Sequence, residues 1–198
     1  MRIIELILDE ENIEAGVGAM SIVESPAIES EFIALSKQNI EISNDKIELA
    51  EVSKERKVLM GAALIPNKTI FRKNEKEEYY VYFSSDTVRK ASEYFLMNGN
   101  QNKATLEHEV KLNGLGIVES WIVEDEVKDK SRMFGLNVPV GTWMVSMKVH
   151  SDEVWQYYIK SGKVKGFSIE GYFADKVEMA KIEDNSELKT ILADAFKK

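Results

Sequence analysis

Several short stretches of the chain alternate apolar and polar residues, which is the pattern of β-strands that bury one face. They are rich in β-branched and aromatic residues, which favour strands. They predict strands within residues 2–9, 19–23, 31–35, 58–65, 68–72, 77–85, 142–149 and 164–173. Two more alternating runs, 104–112 and 115–125, flank Asn113-Gly114, the dipeptide most typical of a tight β-hairpin turn.

Apolar residues recur with helical spacing in two internal segments. Residues 84–99 begin with serines that can cap a helix and end at Asn98-Gly99. Residues 151–162 begin with Ser151-Asp152 and end at a glycine. Because eight or nine strands do not alternate regularly with these helices, the pattern predicts an α+β fold. We expect a mostly antiparallel barrel or sandwich with helices on its outside.

The same pattern predicts one domain, residues 1–178, with an extension. Residues 1–35 supply N-terminal strands, and residues 58–178 hold the core. Between them, residues 37–57 are polar with few apolar positions and predict a flexible connection. Residues 179–198 predict an amphipathic C-terminal helix that docks on the domain or on a partner.

Composition narrows the chemistry. The 198 residues carry a net charge of −8, which disfavours a nucleic-acid partner, and no cysteine, which excludes thiolate nucleophiles and cysteine-based zinc sites. No apolar run approaches the roughly 18–20 residues that span a bilayer. The two histidines do not belong to a recognisable set of metal ligands. We therefore expect no cofactor, no metal, no nucleic-acid partner and no membrane association.

Ser168 is the candidate nucleophile. It stands in the strand-like run 164–173, where alternation places Phe167 and Ile169 on one face and Ser168 and Glu170 on the other. Gly166 and Gly171 would allow another backbone, such as an extended peptide, to approach closely. The spacing does not match the G-x-S-x-G nucleophile elbow. On spacing alone, a serine packed within a sheet is the more common case.

His108 is the candidate general base. If Asn113-Gly114 form a two-residue turn, His108 lies directly opposite Glu119, with Cβ atoms about 5 Å apart. A carboxylate at that distance can fix the tautomer of an imidazole, as the acid of a serine triad does. A cross-strand ion pair between His108 and Glu119 on a solvent-exposed face would give the same sequence pattern. A bulge at Gly116 would turn Glu119 to the other face.

Residues 58–173 resemble, nearly continuously and in the same order, the prohead serine proteases of tailed phages, especially the XkdF type. The combination of an EHE strand at 107–109 with a KGFSIEG strand at 165–171 is the most specific part of the resemblance. It implies a barrel like that of the herpesvirus assemblins, with Ser168 as nucleophile and His108 as general base. We expect Glu119 as the third catalytic member, from the hairpin argument, with Glu170, on the same strand face as Ser168, as the second choice.

The resemblance also implies a function. Such an enzyme cleaves scaffold and major capsid proteins, and often itself, inside an immature capsid in the host cytoplasm, and it commonly forms homo-oligomers. The segment at residues 18–35 resembles a strand that follows the nucleophile strand in many members. We therefore expect a circularly permuted barrel in which residues 1–35 fill that place, beside the Ser168 strand. A non-enzymatic scaffold or assembly protein with the same fold, and a hydrolase of small esters, are the alternatives.

Overall fold

The computed structural model describes residues 2–12, 15–35 and 56–176. Within them twelve strands form three four-stranded sheets, and the helices are few. The α+β class is therefore confirmed. The assemblin-like barrel is not confirmed, because the described strands form three separate sheets and do not close into one. Most of the predicted connection 37–57 and all of the predicted helix 179–198 lie outside the described residues.

Sheet 1 has the strand order β12-β1-β6-β5, in which β1 and β6 run parallel and the other pairs antiparallel. Its strands are β1 (Arg2–Ile7), β5 (Ile70–Lys73), β6 (Glu78–Phe83) and β12 (Ala174–Asp175). The alternation in their sequences is visible in the structure: Ile4 and Val81 are buried and register-paired, whereas Ile3 is exposed. One face of this sheet therefore covers the core.

Sheet 2 has the order β3-β4-β10-β9 and is antiparallel throughout. Its strands are β3 (Ile33–Leu35), β4 (Val58–Leu64), β9 (Leu115–Ile122) and β10 (Trp143–Val149). Every residue of β4 and nearly all of β10 are buried, in keeping with the apolar residues that dominate their sequences. The sheet thus forms the middle of the core, where the fully buried Trp143 meets Phe95 edge-on at 5.4 Å.

Sheet 3 carries both candidate catalytic residues and has the order β11-β2-β7-β8. Its strands are β2 (Gly16–Val23), β7 (Ala104–Leu106), β8 (Val110–Leu112) and β11 (Gly166–Tyr172). Strand β2 pairs antiparallel with β11 and parallel with β7. Residues 16–23 therefore lie beside the Ser168 strand, as the permuted arrangement requires.

The helices follow their sequence signals. Helix α1 (Ser85–Met97) begins after Ser84, whose hydroxyl accepts a hydrogen bond from the Thr87 amide, and the chain turns at Gly99 with φ +67°. Helix α3 (Asp152–Val154) continues as a π-helical turn to Ile159, and its cap is Ser151. A one-turn helix, α2 (Lys130–Met133), interrupts the loop before β10. The two predicted internal helices are thus confirmed.

The predicted hairpin around Asn113-Gly114 is wrong. Strand β8 pairs with β7 and β9 pairs with β10, so the Asn-Gly turn carries the chain from sheet 3 to sheet 2. Pairing with β10 buries Leu115 and Ile117, whereas β8 is a short edge strand with Val110 and Lys111 exposed. The gain from apolar burial against the core outweighs a local turn preference.

Gly171 is the position where a side chain would disturb sheet 3 most. A Cβ atom there would lie 2.0 Å from the Gly16 carbonyl oxygen, which belongs to the backbone and cannot rotate away. We expect Gly171→Ala to lower the free energy of unfolding by about 1–3 kcal/mol, measured by urea denaturation. Gly18→Ala is the matched control, because its Cβ would meet nothing closer than 3.8 Å. Equal effects of the two substitutions would contradict this reading.

Candidate active site

Ser168 lies in the middle of β11, on the face of sheet 3 that points away from the core. Its neighbour Phe167 is fully buried, and Ser168 itself is half-buried. Directly across the ladder it is paired with Ser21 of β2, which is itself paired with Thr105 of β7. Three hydroxyl side chains therefore form a row across three strands. Among the described residues, no hydrogen-bond partner engages the Ser168 hydroxyl.

His108 lies in the tight turn between β7 and β8, not on a strand. Both Glu107 and His108 have positive φ values, +50° and +61°, and the Glu109 amide closes the turn on the Leu106 carbonyl at 3.0 Å. Two successive positive φ values are typical of a type I′ turn, and without glycine they cost about 1–3 kcal/mol each. The turn therefore needs contacts from outside to hold it.

Strand β2 supplies those contacts. The His108 amide donates to Ser21 Oγ at 3.0 Å, and the Glu107 amide donates to the Ile22 carbonyl at 3.2 Å. The Glu107 carboxylate in turn accepts from the Glu24 amide at 2.7 Å. Ser21 is fully buried beneath the turn and donates to the Thr105 carbonyl. The backbone of His108 is therefore fixed to the strand that adjoins β11.

The imidazole of His108 contacts Glu170 of β11. The distance from Nδ1 to Glu170 Oε1 is 3.3 Å, and the same carboxylate oxygen accepts a hydrogen bond from the Thr105 hydroxyl. Both side chains are partly exposed, 42% for His108 and 30% for Glu170. In a serine triad a carboxylate beside Nδ1 leaves Nε2 as the nitrogen that exchanges the proton, and the position of Glu170 matches that arrangement.

Ser168 and this carboxylate–imidazole pair share one face of the sheet. Glu170 is two positions from Ser168 along β11, about 6.7 Å of strand, so both side chains project to the same side. Strand β2 lies between β11 and β7, so the strand of Ser168 and the hairpin of His108 are not neighbours in sheet 3. In the described part of the chain, no hydrogen bond joins His108 to Ser168.

The predicted pairing of His108 with Glu119 is wrong. Glu119 lies on β9 of sheet 2, where both its oxygens accept from Lys130 Nζ, at 2.5 and 2.6 Å, and Oε2 also accepts from the Ser146 hydroxyl at 2.5 Å. These hydrogen bonds, first from Lys130 and then from Ser146, lower the pKa of Glu119. The carboxylate that meets His108 is instead that of Glu170, the alternative third member.

The two glycines that flank Ser168 are approached by the chain's own atoms. A Cβ at Gly166 would lie 2.5 Å from the ring of Pro26 and 2.8 Å from the Ser30 carbonyl oxygen, and Gly171 lies against Gly16. Because the two glycines have no side chain, β11 can pack closely against residues 16–30. The space beside Gly166 and Gly171, which the sequence predicts to be open to a bound peptide, is therefore filled by the chain itself.

The sequence does not single out Ser21 or Thr105, because isolated hydroxyl residues in strands carry no motif. Only the register β11-β2-β7 brings them to Ser168 and Glu170. Within the described ranges, no cluster of three acidic or histidine side chains could hold a metal ion. Nor does any helix in those ranges have the length and apolar character to cross a membrane.

Comparison with known proteins agrees with the resemblance in the sequence. The family described as "Putative phage serine protease XkdF" matches residues 46–178, which is more than half of the chain. The match includes His108, Ser168 and Glu170, whereas Ser21 and the whole of β2 precede it. No curated protein and no solved structure matches the chain.

Proposed function

The chain belongs to the family described as "Putative phage serine protease XkdF", and from this premise we propose that it is an endopeptidase of capsid maturation. Its substrates on this proposal are the scaffold and major capsid proteins, and the chain itself, within the immature capsid in the host cytoplasm. The observation that carries the proposal is the His108–Glu170 contact at 3.3 Å on the face of sheet 3 that also bears Ser168.

In the proposed mechanism Ser168 is the nucleophile and His108 the general base. Nε2 of His108 takes the hydroxyl proton as Ser168 Oγ bonds to the peptide carbonyl carbon, and the imidazolium then gives this proton to the leaving amine. Water cleaves the resulting ester and restores the serine. Backbone amides that donate to the oxyanion each contribute about 2.7–4 kcal/mol of transition-state stabilisation in proteases.

Glu170 is the third member in this mechanism. Its carboxylate holds Nδ1 of His108 and so keeps Nε2 available for the Ser168 proton. Thr105 fixes the same carboxylate by donating its hydroxyl hydrogen. In unliganded enzymes the hydrogen bond between base and nucleophile is often long and shortens when substrate binds. The absence of a His108–Ser168 bond among the described contacts is compatible with this role.

The N-terminal strand belongs to the proposed site, although it lies outside the family match. Strand β2 separates β11 from β7 and carries Ser21, which holds the backbone of His108. In a permuted arrangement, residues 1–35 fill a place that other members fill from the C-terminal side. The pairing of Gly16–Val23 with β11, with one register shift between Glu170 and Gly171, supports that arrangement.

Co-expression with the scaffold and major capsid proteins of the same phage tests the function. We expect shortened forms of both proteins, identified by mass spectrometry of assembled particles, and the same particles should contain the protease. Particles that assemble normally with full-length scaffold and capsid proteins would contradict the proteolytic role. That outcome would instead favour an assembly protein that keeps the fold.

A further inference from the structure

A cavity of about 250 Å³ adjoins the candidate nucleophile. Its lining includes Ser168 and comes from all three sheets. The opposite walls are apolar and well buried: Ile28 is 3% exposed, Ala63 of β4 is 1% exposed and Phe83 of β6 is 4% exposed. The charged residue of the lining is Arg72, on β5. Because most of the lining residues are apolar, the cavity favours the apolar part of an occupant.

Beyond Gly166, against which Pro26 and Ser30 pack, the edge of β11 gives a peptide access to this cavity. In the described ranges β11 is an edge strand, with β2 on one side and a single bridge from Gly166 to Glu31 on the other. A peptide paired along this edge sends alternate side chains to the two faces of the sheet. Peptide side chains opposite Phe167 and Ile169 would lie on the face of the sheet that bears the cavity. The peptide side chain opposite Ser168 would lie on the face that bears His108.

We propose that this cavity is a specificity subsite for one large apolar side chain of the substrate, such as leucine, isoleucine, methionine or phenylalanine. The inference rests on the proposed function, because it assigns the cavity to a peptide attacked by Ser168. An apolar cavity of about 150 Å³ is large enough to hold benzene, so about 250 Å³ accommodates a single side chain of this size. A cationic side chain would lose its hydration there with no carboxylate in the lining to pair with it, and an anionic one could pair only with Arg72, at an exposed position of β5.

The test uses the full chain and a mixture of synthetic peptides of varied sequence. Cleavage sites are read by mass spectrometry, and labelling of Ser168 by a fluorophosphonate probe is measured in parallel. We expect one position near the cleaved bond to prefer large apolar residues over alanine by at least about tenfold in kcat/KM, the effect typical of an apolar pocket.

Filling the cavity should reverse that preference. Ala63→Leu fills it from β4, and Ala27→Leu fills it from a half-buried position that tolerates a larger side chain more easily. Both variants should still label with the probe, and both should favour alanine or glycine at the selective position. Ala34→Leu, on an exposed position of β3 outside the cavity, is the matched control and should keep the original preference.

The outcomes separate this inference from the function on which it rests. Cleavage with no apolar preference, or a preference that survives both cavity-filling substitutions, would overturn the subsite and leave the protease standing. A chain that neither cleaves peptides nor labels at Ser168 would overturn both. Loss of the apolar preference in the two filled variants, with labelling retained, would establish the subsite.

Discussion

Replacing Ser168 by alanine is expected to abolish cleavage of scaffold and capsid proteins. The substitution removes the oxygen that bonds to the peptide carbonyl, and loss of a serine nucleophile typically lowers kcat by a factor of about 10⁴ or more. Production of shortened substrate, measured by mass spectrometry over time in co-expressing cells, checks the result. Probe labelling at this position should disappear as well.

The same substitution is expected to leave the fold intact. Ser168 is half-buried and its hydroxyl has no hydrogen-bond partner among the described residues, so its removal should change the free energy of unfolding by about 0.5 kcal/mol at most. Ser161→Ala is the matched control, since Ser161 is an exposed serine just before β11 that bonds only to its own turn. Normal cleavage by the Ser168→Ala chain would contradict the nucleophile assignment.

The sequence predicts the strands and helices of this protein well because their signals are local. Alternation identifies β1 and β6, and a serine cap with a following glycine bounds α1. The pairing of strands is not local, and there the prediction fails. The Asn113-Gly114 turn joins two sheets, while the true hairpin of this region turns at Glu107-His108 with two residues that rarely adopt positive φ.

In the candidate site, too, the features that depend on local sequence signals are predicted, and those that depend on strand pairing are not. Ser168 and Glu170 can be placed on one face from alternation alone, since they are two positions apart on one strand. The partner of His108 depends on register: an Asn-Gly hairpin leads to Glu119, whereas the observed order β11-β2-β7-β8 leads to Glu170. Ser21 enters the site only because an N-terminal strand inserts between β11 and β7.

Glu170→Gln is expected to lower kcat/KM for peptide cleavage by a factor of about 10²–10⁴. The amide keeps the size of the side chain but removes the charge that stabilises the protonated imidazole, and it can donate to Nδ1 and so favour the wrong tautomer. Because the change acts on proton transfer, kcat should fall with little effect on KM. Steady-state kinetics with a peptide identified from the mixture checks this.

Glu119→Gln is the control that shows whether Glu119 or Glu170 orients the imidazole of His108. Glu119 lies in sheet 2 and bonds to Lys130 of α2 and Ser146 of β10, so its substitution should leave kcat/KM within about twofold. It should instead reduce stability, by up to about 1 kcal/mol for this partly exposed pair. Because these hydrogen bonds lower the pKa of Glu119 below 4.5, that contribution is present at neutral pH and is lost as pH falls through the folded-state pKa. A large kinetic loss in Glu119→Gln with none in Glu170→Gln would restore Glu119 as the orienting acid and remove the role proposed for the His108–Glu170 contact.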